Sequence, residues 1–223
     1  MRSAPAEVNE WGPFFAVHDH PAGATSAAPW RPLRELLDEP ALLAGRIAAI
    51  QTFLAAGGGS PSVRVSASVT HLGLVARLIS PALGVAVLSG EFPALDLADL
   101  WWQPQLGGTF PLSAHYRPGG SADALVDGPL RTLTSAFEVS EKVLWGNVAS
   151  AINGAATMIA ATRPDLAARA AALACDLLAT PLLRDAATRG ADGRFRRRSC
   201  CLIYQAAATP SRDAVCGDCV LAP

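Results

Sequence analysis

The chain has 223 residues, 51% of them hydrophobic and 17% charged, with a formal net charge of −1 and a mean hydropathy of +0.28. Such a composition buries the core of one domain, or of one domain with an appendage, and excludes a disordered or fibrous chain. A pI near 6.4 leaves no global field to draw the chain to nucleic acid or to anionic lipid.

Residues 1–30 are rich in Pro, Ala and Gly, carry Trp11 and Trp30, and read as an irregular N-terminal arm. Glu7, Glu10 and Asp19 interrupt any apolar run there, so the arm does not resemble a signal peptide, and a cytoplasmic location is expected. His18 and His20 read as loop residues in preference to a metal pair. From Pro32 the pattern turns helical. Leu33, Leu36 and Leu37 lead to Pro40, which suits the first turn of a new helix. Leu43, Ile47, Ile50 and Leu54 then repeat at helical spacing until Gly57-Gly58-Gly59 stops them. A third helix is expected over about 62–79, with Val65, Val69, Leu72 and Leu78 inward, and a short buried fourth over 81–88. The run from Leu72 to Leu88 is apolar apart from Arg77, but Pro81 interrupts it and its length is at the lower edge of a membrane span. Two core helices joined at Pro81 are expected instead, with no integral span and peripheral association left open. His71 reads as a packed or hydrogen-bonded core histidine.

Residues 93–120 break the helical rhythm. Two short strands are expected near 99–116, around Pro104 and Gly107-Gly108. Strand alternation then splits Trp101 and Trp102 between core and surface, leaving the outward one able to stack on a chelate ring. Helix returns at 122–125 and 130–137. A long helix opens at Ser140, where Glu141 favours its positive end; Val143, Leu144, Val148, Ile152 and Ile159 form its apolar stripe. Trp145 and Asn147 on it read as packing and a satisfied amide. Pro164 opens a last helix, with Leu166, Ala170, Leu173 and Leu177 on one face, and Pro181 marks its end. Cys175 in that helix reads as a buried structural thiol. The expected fold is mainly α: a helical domain over 31–190 with a small β-hairpin insertion, followed by a cysteine-rich segment over 191–223.

That segment differs in kind. Five arginines between Arg189 and Arg198 face one Asp192, and four of the five cysteines follow at once. A disulfide scaffold distributes its bridges along a short secreted chain, whereas this clustering reads as a metal or redox site. Cys200-Cys201 is followed after fourteen residues by Cys216-Gly217-Asp218-Cys219. Four thiolates complete a closed tetrahedral zinc site or hold a [2Fe–2S] cluster, and the Cys-x-x-Cys half does not separate the two. The adjacent pair suits two metals at least as well as one ion, because neighbouring side chains on an extended backbone diverge. A Rieske site needs two histidines, and the tail has none. Asp218, between two candidate ligands, is unfavourable unless its carboxylate turns to water.

Arg197-Arg198-Ser199-Cys200-Cys201-Leu202-Ile203-Tyr204 with the later Cys216-Gly217-Asp218-Cys219 resembles the C-terminal motif of the FhuF-type ferric-siderophore reductases. Ser68-Val-Thr-His71-Leu-Gly73 and Leu144-Trp-Gly-Asn147-Val-Ala-Ser150-Ala151 also resemble segments of that family, so the likeness covers roughly residues 60–223. It implies a [2Fe–2S] cluster on Cys200, Cys201, Cys216 and Cys219. It also implies a ferric siderophore substrate, reduced by one electron so that Fe(II) is released. The loop between the cysteine pairs is longer than is usual in the family, through Ala206 to Ser211; at ~0.3 kcal/mol of closure entropy the insertion leaves ligand geometry untouched.

Arg194, Arg196, Arg197 and Arg198 are placed to stabilise an anionic cluster, or to dock an acidic electron-donor protein or an anionic chelate. A solvated basic strand edge is the alternative. The sequence has no phosphate loop, dinucleotide fingerprint or nucleophile elbow, so an external ferredoxin-like protein or reductase is expected to supply electrons. Two rival readings stand beside the reductase. One is a non-catalytic helical binding protein with a structural four-cysteine zinc site; the other is a siderophore-binding redox or iron sensor.

Overall fold

The computed structural model describes residues 4–190, 193–207 and 215–221. In chain order these form α1 (Ala4–Val8), β1 (His18–Asp19), β2 (Arg31–Pro32), α2 (Glu35–Asp38), α3 (Pro40–Ala55) and α4 (Val63–Ser89). Next come β3 (Phe92–Ala94), β4 (Leu100–Trp102), β5 (Leu112–Ala114), β6 (Arg117–Gly120), α5 (Ala122–Leu125), a π-helical turn (Val126–Leu130) and α6 (Arg131–Ser135). The chain continues through α7 (Glu141–Thr162), α8 (Ala167–Ala179), β7 (Ala187–Arg189) and β8 (Phe195–Arg197). The fold is mainly α, as the sequence implies.

Helix α4 lies at the centre, packed along α7 and flanked by α3, α8 and α1. Ser62 caps it by accepting the Val65 N–H. It is one continuous helix, not two joined at Pro81. A proline inside a helix costs about 3 kcal/mol, but here Leu78 to Val87 are buried on every side, and apolar burial on both sides of Pro81 outweighs the break. Gly84 makes room for α1: a Cβ there would lie 2.7 Å from Val8 Cγ1. Helices α4 and α7 are long and apolar enough to cross a membrane by length and composition, yet 72% and 56% of their apolar windows are buried inside the fold.

The expected hairpin is present as β4 and β5, antiparallel with Trp101 opposite Ser113. It is the middle of a four-stranded sheet ordered β1-β5-β4-β2, whose outer strands are β1, from the segment read as an irregular arm, and β2, just after that segment. That segment also buries Val8, Trp11 and Phe15 in the core. The buried Arg77 fastens it. Its guanidinium donates to the carbonyls of Pro13, Phe14 and Ala16, and to that of Phe110 beside the hairpin. Burial pulls the Arg77 pKa down to about 10, which leaves it charged at neutral pH. Trp102 is buried and Trp101 half-buried, the alternation expected, and Trp101 stacks on the His20 ring at 3.8 Å between centroids. His20 Nδ1 lies 2.8 Å from Ser113 Oγ, and His18 meets Trp30 edge-on, so both histidines are engaged in packing.

Cys175 is exposed, contrary to expectation. Ala170, Ala174 and Leu177 form the buried face of α8, and Cys175 points off it.

Candidate metal centre

The hairpin β7–β8, with Thr188 opposite Arg196, carries the chain across the end of the helical layer. It spans the boundary near residue 190 that composition suggests. Strand alternation turns Phe195 and Arg197 inward, while Arg194 and Arg198 are exposed and Arg196 is half-buried. The segment around Cys216 returns against β8, where the Arg197 N–H donates to the Asp218 carbonyl at 2.9 Å. This backbone bond helps to set the two cysteine pairs side by side. Cys201 Sγ lies 3.6 Å from Cys216 Sγ, close to the ~3.8 Å edge of a tetrahedron of sulfurs about 2.3 Å from a metal. Residues 208–214, which hold most of the lengthened loop, lie outside the described residues, as does Asp192.

Each pair turns its backbone toward sulfur. The Leu202 N–H donates to Cys200 Sγ and the Leu221 N–H to Cys219 Sγ, both at 3.3 Å. The knuckle closes with the Cys219 N–H on the Cys216 carbonyl at 3.0 Å. Cys201 and Cys219 are buried at 4% and 2% exposure, whereas Cys200 and Cys216 are half-exposed. One edge of the constellation is therefore accessible from solvent.

The Cys201 and Cys216 sulfurs are hydrogen-bonded, the proton lying between them. The hydrogen bond from Cys216, aided by the Ile203 N–H and the Arg197 charge, holds the Cys201 thiol below its usual range against the cost of burial. The same hydrogen bond, burial and the Asp218 carboxylate push Cys216 up. Burial raises Cys200. A metal ion competes for such a pair by displacing the proton between the two sulfurs.

Beneath the sulfurs is a buried polar network that joins the three motif segments. Arg197 is 2% exposed and donates from Nη2 to Asn147 Oδ1 at 2.6 Å and to the Val143 carbonyl at 3.3 Å. Asn147 Nδ2 donates to Ser68 at its carbonyl and Oγ, and lies 3.4 Å from His71 Nδ1. That contact assigns the proton to His71 Nε2, which meets Thr134 Oγ1 at 3.2 Å. Burial and the Arg197 charge drop the His71 pKa to about 3, so the ring is neutral. Ser68 Oγ donates to the Cys201 carbonyl at 2.8 Å. Ser150 on α7 donates to the Asp218 carboxylate, which is thus held by protein instead of turning only to water. Gly146 lets the tail close on α7: a Cβ there would fall 2.3 Å from Ser199 Oγ and 3.0 Å from Arg197 Nη2.

Arg197 is thereby separated from the other three arginines expected to dock a partner, because its side chain is enclosed. His71 and Asn147 are satisfied core polar groups, as expected, and Ser68 joins them. The sequence signal for Arg197 is its position two residues from Phe195, on the apolar side of a short strand. Among the described residues, no group of three or more His, Cys, Asp or Glu side chains already stands arranged to hold a metal ion. The donor set nevertheless fits a thiolate-bound metal in kind. Cys201 and Cys216 meet in sulfur contact, and the charge of Arg197, whose Nε and Nη1 have no hydrogen-bond partner among the described residues, acts on Cys200 and Cys201; an anionic centre would answer that charge. No protein-family model matches the chain, and a search of curated proteins finds no match.

Proposed function

We propose that the chain is a cytoplasmic [2Fe–2S] ferric-siderophore reductase, with Cys200, Cys201, Cys216 and Cys219 as the cluster ligands. The observation that carries this reading is the contact of Cys201, from one cysteine pair, with Cys216, from the other, beside the buried Arg197 cation, which has no carboxylate partner among the described residues. The group they hold supplies one-electron transfer from an external donor protein to an Fe(III) chelate, whose iron leaves as Fe(II) because hard oxygen ligands hold Fe(II) far less tightly. The chain's own residues do the rest. Cys200 and Cys216 form the open edge at which an electron enters and leaves. Arg194, Arg196 and Arg198 put positive charge on the segment that leads into Cys200, suited to an acidic ferredoxin-like donor or an anionic chelate. Cys201 and Cys219 fix the inner edge against α4 and α7 through Ser68 and the Arg197–Asp218 backbone bond.

A structural zinc site is the competing reading, because the 3.6 Å sulfur pair also suits a single ion. Anaerobic purification with iron, zinc and acid-labile sulfide analysis separates them. A coloured protein with two irons and two sulfides is expected; a colourless zinc protein overturns the proposal. Chemically reduced protein should then lose its reduced spectrum on adding a ferric hydroxamate, with Fe(II) trapped by a ferrous chelator. Absence of transfer would leave a binder or sensor.

A further inference from the structure

Among the described residues, the cation under the cysteines has no counter-ion. Arg197 carries a guanidinium cation, yet it is 2% exposed, and among the described residues two of its nitrogens lack partners and no carboxylate pairs with it. Asp218, the acid of the knuckle, gives its carboxylate to Ser150 and only its backbone carbonyl to Arg197. Isolated buried charge is strongly disfavoured, so such an arrangement persists where an opposite charge completes it.

We infer that Arg197 is the fixed counter-charge of the four-thiolate centre, held in place by Asn147, and that it raises the reduction potential of that centre. The inference rests on the tail being a metal centre, as proposed above. Four thiolates around either Zn(II) or a [2Fe–2S] group leave a net anion, and one-electron reduction of the latter adds a further negative charge. A positive charge inside the protein acts on that anion through a low dielectric, whereas the arginines on the outer face of β8 act through water and salt. The surroundings keep this charge unopposed. His71, the nearest titratable ring in the network, is held neutral, and Asn147 and the Val143 carbonyl bind the guanidinium without cancelling its charge. Gly146 provides the space. Arg197 is a positioning residue in this scheme, acting on the ligands and not on substrate.

The test compares full-length metal-loaded protein with Arg197→Met, which keeps bulk without charge, and Arg197→Lys, which keeps charge. Two quantities are read: metal loss to excess chelator over time, and midpoint potential by optical redox titration. Arg197→Met is expected to lose metal roughly tenfold faster or more and to titrate at a more negative potential, with Arg197→Lys near wild type in both. A Met variant that matches wild type overturns the inference. So does a folded Lys variant as impaired as the Met variant, since shape would then decide. If Arg197→Met does not fold, Asn147→Asp places a carboxylate on Nη2 and cancels the charge in place. Its potential should fall, and a wild-type potential overturns the inference. A wild-type protein that carries zinc, which has no redox couple, refutes the reductase reading and the effect on potential, while metal loss still tests Arg197 as counter-charge.

Discussion

His71 and the cysteines show how far single side chains in this protein depend on what surrounds them. In the unfolded chain His71 takes up a proton near pH 6.5, and in the fold only near pH 3. Its folded pKa is depressed, so its contribution to stability is fully present above pH 6.5 and is lost as the pH falls toward 3. At pH 5 the loss is roughly 2 kcal/mol. Urea unfolding at pH 7.5 and pH 5 should show it, and His71→Gln should remove that part of the pH dependence; an unchanged dependence would mean other groups carry it. Two cysteines make a second contrast. Cys216→Ser should abolish the iron–sulfur absorbance, whereas Cys175→Ser, on the exposed side of α8, should leave absorbance and stability within about 0.5 kcal/mol of wild type. Equal loss in both would mean the ligands are misassigned.

At the scale of elements, two glycines on α7 make opposite expectations testable on one helix. Gly146→Ala drives a methyl into Ser199 and Arg197, and overpacking of this kind costs about 1–3 kcal/mol; it should also loosen the tail and speed metal loss. Gly154 has nothing within 4 Å of its virtual Cβ, so Gly154→Ala should stabilise by up to about 1 kcal/mol through helix propensity. Urea midpoints moving in the same direction would contradict the packing described for α7. The same elements show what the sequence makes legible. Helices α3, α7 and α8 follow from apolar periodicity and from Pro40, Ser140 and Pro164 at their starts. Pro81 misleads, because the local cost of a proline is visible in sequence and the burial that outweighs it is not. Strands β1 and β2 are two residues long and show no alternation; they exist because β4 and β5 offer edges to pair with. Cys175 is misread because Ala174, not Leu173, sets the inner face of α8. The cysteine pairs are visible as a pattern, but the network under them is not. Asn147 reaches Arg197 fifty residues away and Ser68 reaches Cys201 across 133.

For the molecule as a whole, the N-terminal segment is a structural member of the core. Val8, Trp11 and Phe15 fill it, and three of its carbonyls cap the buried Arg77 charge. Loss of a single large buried aromatic costs about 3–5 kcal/mol, against a total stability of about 5–15 kcal/mol for a typical domain. Deleting residues 1–17 should therefore abolish cooperative urea unfolding and leave Arg77 with the Phe110 carbonyl but none of its three N-terminal acceptors. A truncated protein that unfolds at the wild-type midpoint would show the segment to be dispensable.

The distance along the chain between Asn147 and Arg197 also sets an order of events during synthesis. At ~5–20 residues per second, Arg197 is made roughly 3–10 s after Asn147. Helix α4 precedes that interval and α7 is completed within it at Thr162, while Ser68 and Asn147 still lack their partners Cys201 and Arg197. The tail supplies both partners when it arrives, and it brings the other cysteines with it. On the proposed reading, metal insertion follows the arrival of the tail, because all four ligands lie on it.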